Sequence, residues 1–213
     1  MARSGKPLRR QPGTRLERKT YLVCSEGENT ETLYFKGLPR ELRAGNVRIE
    51  VFSGKGEPYG VVEKAVAEAN RAAVQGEDYD EVWCVFDVEA PGAHARLGAA
   101  LALAARHGIN CATSNPCFEV YLLLHYADLP YLTTEEACRR LEGHPCGYTR
   151  RGKLLDFEAL KAGRPDAFRR AARLDRLSAG LPLADRNPST SVPGLVAALE
   201  SDAVTNTLSR RTV

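Results

Sequence analysis

Three carboxylates, Glu26, Asp87 and Glu89, stand where metal-assisted chemistry would place them. Glu26 follows the apolar run Tyr21-Leu22-Val23-Cys24 and Ser25, and Asp87 closes Val82-Trp83-Cys84-Val85-Phe86. Glu89 comes two residues later. In extended chain, residues i and i+2 point to one side, so Asp87 and Glu89 are expected to converge. If the two runs are neighbouring strands, all three acids share a crevice. Clustered carboxylates repel one another unless a cation joins them. Mg²⁺, or Mn²⁺ in its place, suits such a set, because hard cations take carboxylate, water and phosphate oxygens. The chemistry that follows is phosphoryl transfer with a metal-activated water.

Two further residues are candidates for the same machinery. Glu119 falls in the first turn of an expected helix, where a carboxylate also suits the helix dipole without any function. Lys153, after Arg150 and Arg151, has the charge to neutralise a transferring phosphate, or is simply a surface lysine. His125 ends an apolar helix and reads as a hydrogen-bonded residue at the core edge. No phosphate-binding loop is present, since Ser53-Gly54-Lys55-Gly56 lacks its spacing, and no G-x-S-x-G occurs. Any dependence on ATP would come from a partner.

The elements that must position these groups alternate. Strands are predicted at 20–24, 47–52, 81–87 and 109–113, and helices at 30–43, 61–74 and 91–107. Pro39 is expected to kink or end the first helix. A further helix, opened by Pro116, is expected through Leu124. Strand 81–87 is apolar almost throughout, as in a parallel sheet covered on both faces. The alternation argues for βαβ units, and in such sheets ligands bind beyond the carboxyl ends of the strands. From about Ala127 the chain reads as helical, at 134–141, 154–160, 165–177 and 192–199. The expected organisation is a basic arm over 1–18, an α/β core over 19–126 and a helical extension over 127–213 packed on the core.

Of 213 residues, 43% are hydrophobic and 27% charged, the composition of a soluble globular chain. The net charge of +3 is too small to imply a nucleic-acid partner by itself, although the arm carries Arg3, Lys6, Arg9, Arg10, Arg15, Arg18 and Lys19. That arm suits phosphate contacts or a solubilising tail. The opening residues lack a secretory pattern, and no apolar run approaches the ~20 residues that span a bilayer, so a cytoplasmic protein without membrane contact is expected. The six cysteines show no C-x-x-C spacing and read as reduced structural thiols; Cys138, His144 and Cys146 match no common zinc site.

Four segments carry a family resemblance. Glu26-Gly27-Glu28-Asn29-Thr30-Glu31 resembles the E-G-x-x-T-E opening of RloB-like proteins. Asp87-Val88-Glu89 is similar to their D-x-D strand end, and Ser114-Asn115-Pro116-Cys117-Phe118-Glu119-Val120-Tyr121-Leu122-Leu123-Leu124-His125 to their S-N-P-x-F-E-x-W-L-L-L-H segment. Asn187-Pro188-Ser189-Thr190-Ser191-Val192 resembles the late N-P-x-T-x-V motif. The resemblance covers roughly residues 20 to 200. It implies a Toprim-like, Rossmann-like core related to OLD-family nucleases, acting on DNA or RNA in bacterial phage defence, often beside an ATPase gene. Glu26 would be the Toprim glutamate, Asp87 and Glu89 the paired acids, and Glu119 a further acid near the metals, with Glu31 supporting the first loop or a second ion. Glu89 stands where the family more often has aspartate, and Tyr121 where it has tryptophan. The altered acid keeps a second reading open: a non-catalytic module of the same shape that binds nucleic acid or a partner. The sequence leaves self-association open.

Overall fold

The computed structural model describes residues 19–25, 30–42, 47–51, 57–89, 92, 94–150 and 155–211, with 47–51 and 204–211 described as backbone only. Five strands form one sheet in the order β2-β1-β3-β4-β5. β1 (Tyr21–Ser25), β2 (Val47–Val51), β3 (Glu81–Asp87) and β4 (Asn110–Asn115) are parallel. The two-residue β5 (Ser189–Thr190) pairs antiparallel with the end of β4.

β1, β3 and β4 send alternate side chains into two cores. Leu22, Cys24, Cys84, Phe86 and Val88 pack with α2 (Pro58–Val74) and α3 (Leu97–Arg106). Tyr21, Val23, Val85 and Ala112 face the opposite side. There they meet α1 (Thr30–Glu41), α4 (Glu119–Leu123), α5 (Thr134–Leu141), α6 (Phe157–Lys161), α7 (Arg164–Leu177) and α8 (Val192–Arg211). Burial on both faces is the reason β3 reads as a continuous apolar run.

Most element positions match the expectations above; the differences have physical causes. Pro39 sits inside α1, two residues from its end, so the helix stops at Glu41. α3 begins at Leu97 rather than near Pro91. α4 starts only at Glu119, so Pro116 precedes the helix rather than opening it, and the Asn115–Pro116 bond is cis. α5 opens with a capping box: Thr133 Oγ1 accepts from the Glu136 amide while Glu136 Oε2 accepts from the Thr133 amide. β5 has no counterpart among the expected strands, because two residues carry no period. Through β5 and the shared core, the C-terminal third belongs to the same packed unit as the sheet.

Candidate metal-binding crevice

β1 leads through α1 to β2 on one side, while β3 leads through α3 to β4 on the other. The strand order therefore reverses between β1 and β3, and a parallel sheet opens a crevice at the carboxyl ends of such a pair. The two strands are direct neighbours, Ser25 standing opposite Val85. The neighbour relation expected of these two strands is therefore present. Asp87 ends β3 half-buried, on the same side as Val85, toward α1 and α4.

Glu26 and Lys153, like the arm over 1–18, lie outside the described residues. Glu89 behaves differently from the extended-chain expectation. The amides of Val88 and Glu89 donate to the carbonyls of Ser114 (2.8 Å) and Pro116 (2.9 Å), which carries the backbone past the end of β3. Glu89 then turns into the left-handed region at φ 57°, so the i, i+2 alternation from Asp87 stops there. Its carboxylate, more than half exposed, lies 3.3 Å from His94 Nε2.

Glu119 is buried and accepts a 2.6 Å hydrogen bond from Thr30 Oγ1, which joins the start of α1 to the start of α4. Ser25 and Thr32 hydroxyls meet at 2.6 Å. The ligand atoms of Cys117, Glu119 and Cys138 all lie within 4.8 Å of one another, the one such trio among the described residues. The Cys117 thiol hydrogen-bonds to the Cys138 sulfur, drawing Cys138 down to about 7 against the effect of its burial. Cys117 is pushed up by the same bond, by burial and by the nearby charges of Glu119 and Asp87. Asp87 and Glu119 are thus both near enough to Cys117 for their charges to act on its thiol. Burial also raises Tyr148, whose phenol hydrogen-bonds to Cys138 and Glu119.

Cys138 entered the reading of the sequence only beside His144 and Cys146, which do not join the trio. His144 stacks on Tyr126 at 4.3 Å. Thr30, Cys117 and Tyr148 were not singled out. Cys138 lies 21 residues beyond Cys117, on a separate helix, so no local spacing marks the pair. All six cysteines are free thiols.

A model of the RloB-like protein family matches residues 21–199. The chain belongs to the RloB-like family. No curated protein and no solved structure matches it. In this RloB-like chain the third and fourth motifs meet at the carboxyl end of β4. Ser114 and Thr190 hydroxyls lie 2.9 Å apart, and the Thr113 amide donates to Ser191 Oγ at 2.8 Å. Asn115 Nδ2 donates to the Leu183 and Ala184 carbonyls. Asn187 clamps Leu132 by accepting from its amide (3.2 Å) and donating to its carbonyl (2.9 Å). Tyr121, in place of the family's tryptophan, is fully buried, with its hydroxyl 3.1 Å from that of Tyr34. Among the described residues, no helix is long and apolar enough to cross a membrane.

Proposed function

We propose that this chain is a metal-dependent nuclease that hydrolyses phosphodiester bonds of DNA or RNA, working in the bacterial cytoplasm in defence against phage, with an ATPase encoded beside it as partner. The observation that carries this reading is the position of Asp87. It ends β3 at the point where the strand order reverses, beside the end of β1 that leads into Glu26. Family membership supports the same reading.

Asp87 and Glu26 fit Mg²⁺ or Mn²⁺ as carboxylate donors, since such ions need only one or two carboxylates besides water and phosphate. When bound, the cation would supply an activated water and neutralise charge on the phosphate. Glu89 would join this set by leaving His94. Glu119 is held by Thr30 and lies within 4.8 Å of two thiols, and in this reading it shapes the wall of the crevice. Lys153 would face the charge of the transferring phosphate.

The test is cleavage of linear and circular DNA and of RNA, with Mg²⁺ or Mn²⁺, alone and with the co-encoded ATPase. Cleavage is expected to need the cation. It should fall by roughly a hundredfold or more in Asp87→Ala and Glu26→Ala, the scale of losing one charge-stabilising group at a reaction centre. Equal cleavage by both variants, or none on any substrate, would overturn the reading.

The second reading, a non-catalytic binding module, is favoured by Glu89, which turns out of line with Asp87 and lies beside His94. Arg169, Arg170, Arg173 and Arg176 line a cavity of about 300 Å³ on α7, opposed there by Asp128. Nucleic-acid binding that weakens steeply with salt and survives loss of the acids would select that alternative.

A further inference from the structure

We propose that Cys117, Glu119 and Cys138 form a binding site for a soft divalent cation of the zinc class, distinct from the oxygen-ligand site of the nuclease reading. Three ligand atoms, from the β4–α4 connection, the start of α4 and α5, already lie within 4.8 Å of one another. Around a tetrahedral zinc ion, Zn–S bonds of about 2.3 Å set the two sulfurs roughly 3.8 Å apart. Closing the trio on an ion therefore takes side-chain movements of about 1 Å or less. Two thiolates with one carboxylate select zinc over Mg²⁺ or Ca²⁺, which take oxygen donors.

The surroundings point to a cation as well. Glu119 is 7% exposed and Cys117 2%, yet among the described residues no lysine or arginine pairs with Glu119. A buried carboxylate close to two sulfurs is costly without a positive partner. Thr30 Oγ1 donates to Glu119 at 2.6 Å, the kind of outer contact that orients a metal ligand. Three protein ligands leave one position for water. Because Cys138 lies on α5, an ion there would tie the C-terminal helices to the wall of the Asp87 crevice.

The test uses the full chain, stripped with chelator and reduced, without nucleic acid. It is titrated with Zn²⁺ against a chromophoric competitor and, separately, with Co²⁺. One tight equivalent per chain is expected, with a thiolate-to-cobalt charge-transfer band in the near ultraviolet. Cys117→Ser/Cys138→Ser should lose affinity by about a hundredfold or more, although four other thiols remain. X-ray absorption on the zinc-loaded wild type should count two sulfur donors, which keeps the proposal testable if the double variant misfolds. Asp87→Ala should keep the tight equivalent, so failure of this site and failure of the nuclease reading are separable. Equal binding by wild type and the double variant, absence of the band, or fewer than two sulfur donors would overturn the proposal. So would a native Cys117–Cys138 disulfide whose reduced form takes up no zinc.

Discussion

His125 shows how burial decides the role of a single side chain. It is 4% exposed at the end of α4, with Nδ1 3.1 Å from the Tyr121 carbonyl. A carbonyl only accepts, so Nδ1 carries the proton and the buried Nε2 is the nitrogen left to titrate. Nε2 has no partner among the described residues. Burial, together with Arg164 and Arg170, lowers its pKa to about 4 despite the Tyr121 bond. A general base at neutral pH needs access to solvent or substrate, which this ring lacks. The depressed value sets a sign. Between the ordinary pKa near 6.5 and about 4, the unfolded chain binds the proton and the folded chain does not. Stability should therefore fall as pH drops through that window and level off below it, by about 3 kcal/mol at most. Urea unfolding from pH 7 to 4 checks this. His125→Gln should flatten the slope in that window whatever its absolute stability; an unchanged slope would show that other groups govern it.

The corner between α6 and α7 depends on a close backbone approach. Gly163 precedes α7 with φ −86°, a conformation open to any residue, so its freedom is not what the position uses. A Cβ there would lie 2.6 Å from the His125 carbonyl oxygen and 3.0 Å from His125 Cβ, at the end of α4. Backbone cannot yield as a flexible side chain does. Gly163→Ala should cost about 1–3 kcal/mol, the scale of overpacking, where an unobstructed glycine-to-alanine change of this kind would stabilise. Thermal denaturation of the variant reads this directly, and a raised midpoint would contradict it. α4 is also fixed by contacts distant in sequence, with Thr30 bonded to Glu119 at one end and Arg170 to the Leu124 carbonyl at the other.

Across the whole molecule, Arg164 holds three helices together. It is 6% exposed at the start of α7 and pairs with Glu41 at the end of α1 (2.6 Å) and Glu200 on α8 (2.8 Å). Glu41 is nearly as buried, and Lys161, 3.9 Å away, is a weaker partner. Arg164→Met should cost about 3–5 kcal/mol, because it leaves Glu41 buried without adequate compensation. Arg164→Met/Glu41→Leu should recover much of that loss, since apolar replacements remove both desolvation penalties. Chemical denaturation of the two variants tests the coupling; additive losses would show that the pair does not interact.

Periodicity was enough to reveal the parallel strands and most helices, because a strand covered on both faces must be apolar throughout and an amphipathic helix must repeat its stripe. β3 was legible to the residue for that reason, and the bounds expected for α5 also match. Asp87 was legible too, since a charged residue directly after such a run must lie at the strand end. The sequence alone left open whether β1 and β3 were neighbours, because pairing order depends on contacts between residues some 60 positions apart. It also missed β5, which exists only through its pairing with β4. The turn at Glu89 could not be read from the extended-chain rule, as a positive φ there is held by the bonds to Ser114 and Pro116. The trio of Cys117, Glu119 and Cys138 is a product of packing alone: α5 folds back onto α4, and only that contact brings the second thiol to the first. Sequence thus determined the elements and the acid at the strand end, which are local. Tertiary structure decided which distant donors face one another, because side chains far apart in the chain meet only when helices and strands pack.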